Sequence, residues 1–320
     1  MSDANITPSL YKKDSFLGKV RKDFAKNKVL YLIAVLPVLY YILFHYKPMY
    51  GLIIAFKDYI PALGIADSEW ASDFGFGNFI RFFENRYFTR LLGNTLRISV
   101  TALLFGFPMP IVLALLLNEL TNKYFIKTVQ TVTYLPHFIS MVVMCGMIKS
   151  FTGTTGIITQ FLANFNGGDT TSILLKPEWF TGLYVGTNIW QECGWGSIIY
   201  LAALSGIDQS LYEACEIDGG GRLRQAWHIT LPGIAPTIII LLIMRMGQVL
   251  SVGYEKVILL YNEHTYKTAD VILSYVYREG LINANFSYST AVGLFNSVVN
   301  ILLLCVANTI SKKVSETSLW

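Results

Sequence analysis

The stretch EACEIDGGGRLRQAWHITLP, residues 213 to 232, is a polar island in an apolar chain. It carries Glu213, Glu216, Asp218, Arg222, Arg224 and His228 around three consecutive glycines, Gly219 to Gly221. Ser210 and Glu213 stand at the spacing of a capping box, in which hydroxyl and carboxylate each satisfy a backbone N–H. That predicts a short helix from Leu211 to Ile217, ended by Gly219 in the left-handed conformation. Gly220 and Gly221 then permit a sharp reversal. A second short helix follows from Arg222 to His228, and Pro232 opens the next apolar segment, where its missing N–H costs nothing. On the first helix Leu211, Ala214 and Cys215 form an apolar stripe that can sit on the rest of the protein, with Glu213 and Glu216 toward another side. Residues 208–232 therefore read either as a helix–turn–helix bracket or as a solvated loop, and local physics alone favours neither.

The surroundings of the island set the class. The 320 residues are 53% hydrophobic and 14% charged, with a mean hydropathy of +0.47. Soluble domains carry about 25% charged residues, so this is an integral membrane protein. A crossing needs about 20 mostly apolar residues, and six segments offer one: 29–46, 92–117, 132–148, 183–204, 235–257 and 290–310. The expected architecture is an all-α membrane domain of six transmembrane helices over 29–311. A basic segment, 1–28, precedes it and a tail, 312–320, follows.

Lys12, Lys13, Lys19, Arg21, Lys22, Lys26 and Lys28 crowd the start of the chain and place it in the cytoplasm. This flank is too long and too charged for a signal peptide, and no small-residue cleavage site follows. Six crossings return Lys312 and Lys313 to the same side, together with the bracket and the 118–131 connection. The net charge of +4 fits an anionic inner leaflet and calls for no nucleic acid. Cys145, Cys193, Cys215 and Cys305 show no metal-ligand spacing and read as small hydrophobes, so no metal is expected. The outer segment 47–91 is rich in aromatics suited to a membrane interface. Segment 149–182 is broken by glycines around a short helix, Ile157 to Phe165, and segment 258–289 links the last two spans. No repeat is present.

The spacing of the island resolves its role. Glu213-Ala214-Cys215, three residues, Gly219, nine residues, Ile229, one residue and Leu231-Pro232 resemble the EAA-x3-G-x9-I-x-LP signature of the membrane subunits of binding-protein-dependent ABC importers. Cys215 replaces the second alanine, small for small. The run from His45 to Tyr59, Asn94-Thr95 and Tyr134-Leu135-Pro136 are similar to the carbohydrate-uptake branch, especially permeases for complex oligosaccharides of Gram-positive bacteria. The resemblance covers nearly the whole chain and implies the type I importer permease fold. It makes the bracket a coupling helix seated in a separate cytoplasmic ATPase dimer, which holds the ATP and Mg²⁺. Glu213, Ala214, Cys215, Glu216 and Gly219 would be contact and turn positions. Ile229, Leu231 and Pro232 would join the bracket to span five. Asp218, Arg222 and Arg224 are polar neighbours that can pair with the ATPase. The resemblance also implies a second, homologous permease, an extracellular solute-binding protein and rigid-body alternating access in the cell membrane. The chain itself has no GxxxxGK[ST] phosphate loop, so hydrolysis falls to the partner and this subunit is not an enzyme.

A sugar path wants aromatic faces and amide or hydroxyl partners. Span four offers Asn188, Gln191 and Trp195. Span five offers Gln248 and Ser251, with Arg245 and Tyr254 near, and span six offers Asn296 and Asn300. Polar groups at membrane depth face the protein interior or a wet path, although amides there also bond helix to helix. Arg245 can meet an acidic sugar, pair with an acid, or snorkel at the cytoplasmic end; pairing or snorkelling is preferred. A secondary transporter would show repeats and coupled carboxylates, whereas Glu192 and Glu255 read as isolated. An intramembrane enzyme would show HExxH, GxSxG or paired aspartates, and none occurs in the spans.

Overall fold

The computed structural model describes residues 23, 24, 26–165, 167–315 and 317–320, so the basic segment 1–28 lies largely outside the described residues. The chain forms two compact units, Met1–Ile53 and Ile54–Trp320. In the first, α1 (Lys28–Tyr41) buries none of its residues, and Leu30, Leu32 and Leu36 are 66 to 73% exposed.

The second unit begins with a two-residue antiparallel ladder, β1 (Lys57–Asp58) against β2 (Glu69–Trp70), in which Lys57 faces Trp70. This ladder departs from the all-helical expectation. Its loop is held by the buried Lys57 ammonium, which donates to the carbonyls of Ile65, Ala66 and Ser68 at 2.7, 3.0 and 2.9 Å. The helices that follow are α2 (Gly77–Phe83), α3 (Phe88–Asn118), α4 (Lys123–Tyr134), α5 (Met141–Thr152) and α6 (Ile157–Ala163). Then come α7 (Phe180–Leu204), α8 (Gln209–Ile217), α9 (Arg222–Met246), α10 (Tyr254–Leu260), α11 (Ile272–Tyr277) and α12 (Phe286–Ser315).

Among the described residues, five helical runs are long and apolar enough to cross a membrane: Lys28–Phe56, Phe88–Asn118, Met141–Ala163, Arg222–Met246 and Phe286–Ser315. The 25-residue α7 has the length, but Asn188, Gln191 and Glu192 interrupt its apolar run. Three of the long runs contain a π turn: Ile42–Tyr46, Ala102–Gly106 and Ala226–Thr230. Each ends two residues before a proline, namely Pro48, Pro108 or Pro232. A proline ring collides with the carbonyl four residues back and offers it no N–H. Those carbonyls belong to Phe44, Leu104 and His228, at the middle of each π turn, where the wider turn makes room and the helix continues.

Two expected spans are not single helices. In 132–148, α4 passes into a 3-10 turn at Leu135–Phe138, and α5 starts anew with Ser140 Oγ accepting from the Val143 N–H. Pro136 removes one backbone donor and Ser140 supplies a cap, so the chain has both a reason to stop and a place to restart. In 235–257 the helix ends at Met246 and resumes at Tyr254. The fourth and sixth segments match α7 and α12 closely, α12 running on to include Lys312 and Lys313.

Three clusters of buried side chains hold the second unit. Ile98, Met144, Val185 and Val257 join α3, α5, α7 and α10. Phe82, Leu91, Ile272 and Tyr288 join α2, α3, α11 and α12. Ile111, Ala114, Tyr200 and Ile234 join α3, α7 and α9. Lipid is as apolar as leucine, so close packing rather than water exclusion binds such helices. Gly194 shows how close: a Cβ there would stand 2.1 Å from the Thr133 carbonyl oxygen of α4.

Candidate functional site

The bracket is the first candidate. Helix α8 starts at Gln209, capped by Asp208, whose carboxylate accepts from the Ser210 N–H at 3.0 Å. The cap is therefore Asp208 and not Ser210, because aspartate two residues earlier already satisfies the free amide. That hydrogen bond holds the Asp208 carboxyl below the usual carboxylate range. The C-terminus closes as expected. Gly219 has φ +74°, its N–H donates to the Glu216 carbonyl at 2.9 Å, and the Gly220 N–H donates to the Cys215 carbonyl at 2.8 Å. This pair of bonds is a Schellman motif. Gly220 is required on a second ground, since a Cβ would stand 2.3 Å from Cys215 Sγ.

Beyond the turn two expectations change. The helix starting at Arg222 does not stop at His228 but runs through the π turn into α9, so Ile229, Leu231 and Pro232 lie inside one continuous helix. The stripe Leu211, Ala214, Cys215 is not buried against the chain: α8 has no buried residue and Leu211 is half exposed. Polar contacts that the sequence did not single out hold α8 instead. Tyr212 Oη meets Thr230 Oγ1 at 3.1 Å, and Gln225 Nε2 donates to Glu216 Oε1 at 3.2 Å. Arg222 Nε lies 3.6 Å from Glu119 Oε2 at the end of α3, an exposed pair within this chain. Glu213, Ala214, Asp218 and Arg224 remain exposed, beside Ile217, Leu223 and Trp227 at 88, 80 and 68%.

The second candidate is a cavity of about 560 Å³ between α3, α7, the end of α9 and the segment 247–253. Its α7 wall is a stripe of Tyr184, Asn188, Glu192 and Trp195. Asn188 and Trp195 stand there with Arg245, Gln248 and Ser251 from the other side. Gln191 points elsewhere: it is buried and donates to the Ile139 carbonyl at 3.1 Å. The residue of that turn facing the cavity is Glu192, one position on and four from Asn188. Glu192 is not isolated, since its carboxylate lies 3.0 Å from His137 Nδ1. The His137 ring stacks on Trp195 with centroids 4.5 Å apart and planes within 1°.

Tyr254, Asn296 and Asn300 are not among the lining residues. Tyr254 is partly exposed beside Tyr277. Asn296 is buried with its Oδ1 unpartnered. Asn300 ties α12 to the segment 247–253: Oδ1 accepts from the Leu250 N–H at 2.9 Å and Nδ2 donates to Ser251 Oγ at 2.9 Å. These bonds close the non-helical segment 247–253, with Ser99 Oγ donating to the Val249 carbonyl. Irregular backbone at membrane depth survives only when buried in protein or lining a cavity, and this segment does the latter. Arg245, in the last turn of α9, has no acid within 4.0 Å among the described residues, so the expected pairing does not form within these residues, and it lies at the end of α9 away from the bracket. Lys256, unremarked in the sequence, is buried at the cavity wall.

One turn before the cavity residue Ile98, Asn94 donates to the Lys267 and Asp270 carbonyls at 3.1 and 3.0 Å, and Thr95 Oγ1 accepts from the Ile272 N–H at 3.0 Å. The buried Asp270 takes Arg278 at 2.7 and 3.2 Å. These contacts fix 266–278 to the start of α3.

The chain is 46% identical over 296 residues to the protein LplB of Bacillus subtilis, covering 92% of each chain. It is 45% identical over 295 residues to the polygalacturonan/rhamnogalacturonan transport system permease protein YteP of the same organism, covering 92% of this chain and 91% of that one. A chain of a bacterial ABC transporter involved in the import of the acidic polysaccharide alginate superposes with a TM-score of 0.84 at 43% identity, covering 93% and 99%. A second structure, in complex with an alginate pentasaccharide-bound periplasmic protein, gives a TM-score of 0.85 at 42% identity, covering 94% and 100%. Residues 106–316 match the family of binding-protein-dependent transport system inner membrane components. That match runs through both the bracket and the cavity, and the chain is a membrane permease belonging to this family.

Proposed function

We propose that the chain is the permease of an ATP-driven importer that carries an oligosaccharide, delivered by an extracellular solute-binding protein, across the cell membrane of a Gram-positive bacterium. Six crossings put both termini and the bracket in the cytoplasm, consistent with the lysines and arginines at the N-terminus and beside the bracket. The observation that carries this reading is the bracket's unpartnered face. A turn closed by its own hydrogen bonds presents Glu213 and Ala214 together with exposed Ile217, Leu223 and Trp227. Large apolar side chains exposed on a rigid polar turn mark an interaction site, here the seat for a separate ATPase dimer that binds ATP and Mg²⁺. Because α9 is continuous from Arg222 to Met246, movement of the bracket transmits along a rigid rod to the cavity wall. A second, homologous permease completes the path. Within the cavity Asn188, Gln248 and Ser251 offer hydrogen bonds to hydroxyls, and Trp195, backed by His137, offers a flat face to a sugar ring. The sugars named for the relatives support the same cargo.

The reading is tested by purifying the tagged protein in mild detergent, identifying what accompanies it by mass spectrometry, and measuring ATP hydrolysis with the solute-binding protein present. One ATPase and a second permease, with hydrolysis stimulated by a loaded binding protein, is the expected result. Recovery of the chain alone would reduce residues 213–232 to a loop and reopen secondary transport.

A further inference from the structure

Two buried lysines differ in what satisfies them. Lys57 is 7% exposed and Lys256 1%. Lys57 places its ammonium against three carbonyls. Lys256 has one acceptor, the Tyr184 carbonyl at 3.2 Å, and lies 4.9 Å over the Tyr184 ring. Among the described residues no carboxylate stands within 4.0 Å of it. The two acids of the cavity do not fill that need: Glu192 is engaged with His137, and Glu255 is exposed and forms no ion pair with Lys256. A buried charge is tolerated when paired and hydrogen-bonded and is destabilising otherwise. Lys256 lines the cavity with N–H donors to spare, and Arg245 on the same wall also lacks an acid.

We propose that Lys256 Nζ receives a carboxylate of the cargo inside the cavity, with Arg245 as the second cation, so that this pair reads the acidic sugars named for the alginate and polygalacturonan relatives. This rests on the importer reading above. Carboxylate and ammonium make a charge-assisted hydrogen bond, and Tyr184, Asn188, Trp195 and Gln248 supply the aromatic and amide surfaces that a pyranose ring and its hydroxyls need. Most lysine–carbonyl sites are structural, as Lys57 is. The difference at Lys256 is the missing acceptors on a wall that faces an open cavity.

The test uses the complete importer in proteoliposomes with its solute-binding protein, comparing an oligogalacturonate with its fully methyl-esterified counterpart, equal in length and neutral. Uptake of the acid should exceed that of the ester in the wild type. Lys256→Met should lower uptake of the acid about ten-fold or more and leave thermal stability unchanged or higher, because methionine fills the space without a buried charge. Lys256→Arg should restore part of the rate. A purely structural lysine would give the opposite pattern, with lost stability and equal losses for acid and ester. Unchanged acid uptake in Lys256→Met overturns the proposal, as does a wild type stimulated by neutral oligosaccharides but not by the oligouronate, which leaves the importer reading standing. No stimulation by any sugar overturns both.

Discussion

Helix α9 is bounded by two glycine-marked interruptions, and they close differently. Before Arg222, the chain turns at Gly219 to Gly221 using bonds between near neighbours in sequence: Gly219 to Glu216, Gly220 to Cys215, and the Asp208 cap at the far end of α8. After Met246, the segment 247–253 relies on distant partners: Asn300, Ser99 and Tyr184, whose hydroxyl donates to the Gly253 carbonyl at 3.4 Å. The first turn is self-sufficient, suited to a rigid handle that another protein grips. The second also makes local bonds, such as Gly247 to Ile243 and Ser251 to Gln248, but side chains from three other helices complete it, so its shape is tied to how they are arranged, which suits the alternating access proposed above.

Breaking the second interruption should cost most. Asn300→Leu leaves the Leu250 N–H buried without an acceptor, a loss of about 1–3 kcal/mol. It should show as a lower Tm of the purified permease. An unchanged Tm would mean that the segment closes without help from α12. Gly219→Val comes next. A β-branched residue at φ +74° is strained by about 1–3 kcal/mol, confined to the bracket. We expect a small change in Tm, ATP hydrolysis that persists, and uptake that collapses. Normal substrate-stimulated uptake in this variant would sink the coupling role.

Gly220→Ala should be milder. Its Cβ meets Cys215 Sγ at 2.3 Å and the Cys215 carbonyl oxygen at 2.9 Å. Combining it with Cys215→Ala removes the first clash and not the second, so uptake should recover in part, and a double-mutant cycle measures the coupling. The smallest effect is at Asp208. Its folded carboxyl lies below the ordinary value because it accepts from the Ser210 N–H. A depressed carboxylate contributes stability above its unfolded pKa and loses it as pH falls through the folded value. Amide-exchange protection of α8 should therefore hold near neutrality and fade only under acid. Asp208→Ala should lose it at every pH, and Asp208→Asn should keep it.

The same contrast governs what could be read in advance. Gly219's left-handed turn, the end of α8 at Ile217, α7 and the short helix from Ile157 were legible because each depends on neighbours within a few residues. So was the bracket's spacing of Glu213, Gly219 and Pro232. Asp208 was overlooked because two plausible caps sat two residues apart. Asn188 and Trp195 were correctly placed on one stripe, but the companion on that stripe is Glu192 and not Gln191, since 3.6 residues per turn leave i+3 and i+4 equally open until a neighbour such as the Ile139 carbonyl claims one of them. The π turns follow from prolines whose positions were in plain view, yet the habit of ending a helix at proline hid the continuity of α9.

Composition and periodicity by themselves determined a helical membrane protein with a polar turn between two long apolar runs, because charge is too scarce for a soluble surface and the turn closes through its own backbone. The tertiary structure alone decided that the chain unwinds at Gly247, that Asn300 of α12 closes that unwound segment while Glu192 faces a cavity, and that Lys256 is buried with one acceptor. Those outcomes depend on which side chains arrive from residues fifty or more positions away, and no local pattern records their arrival.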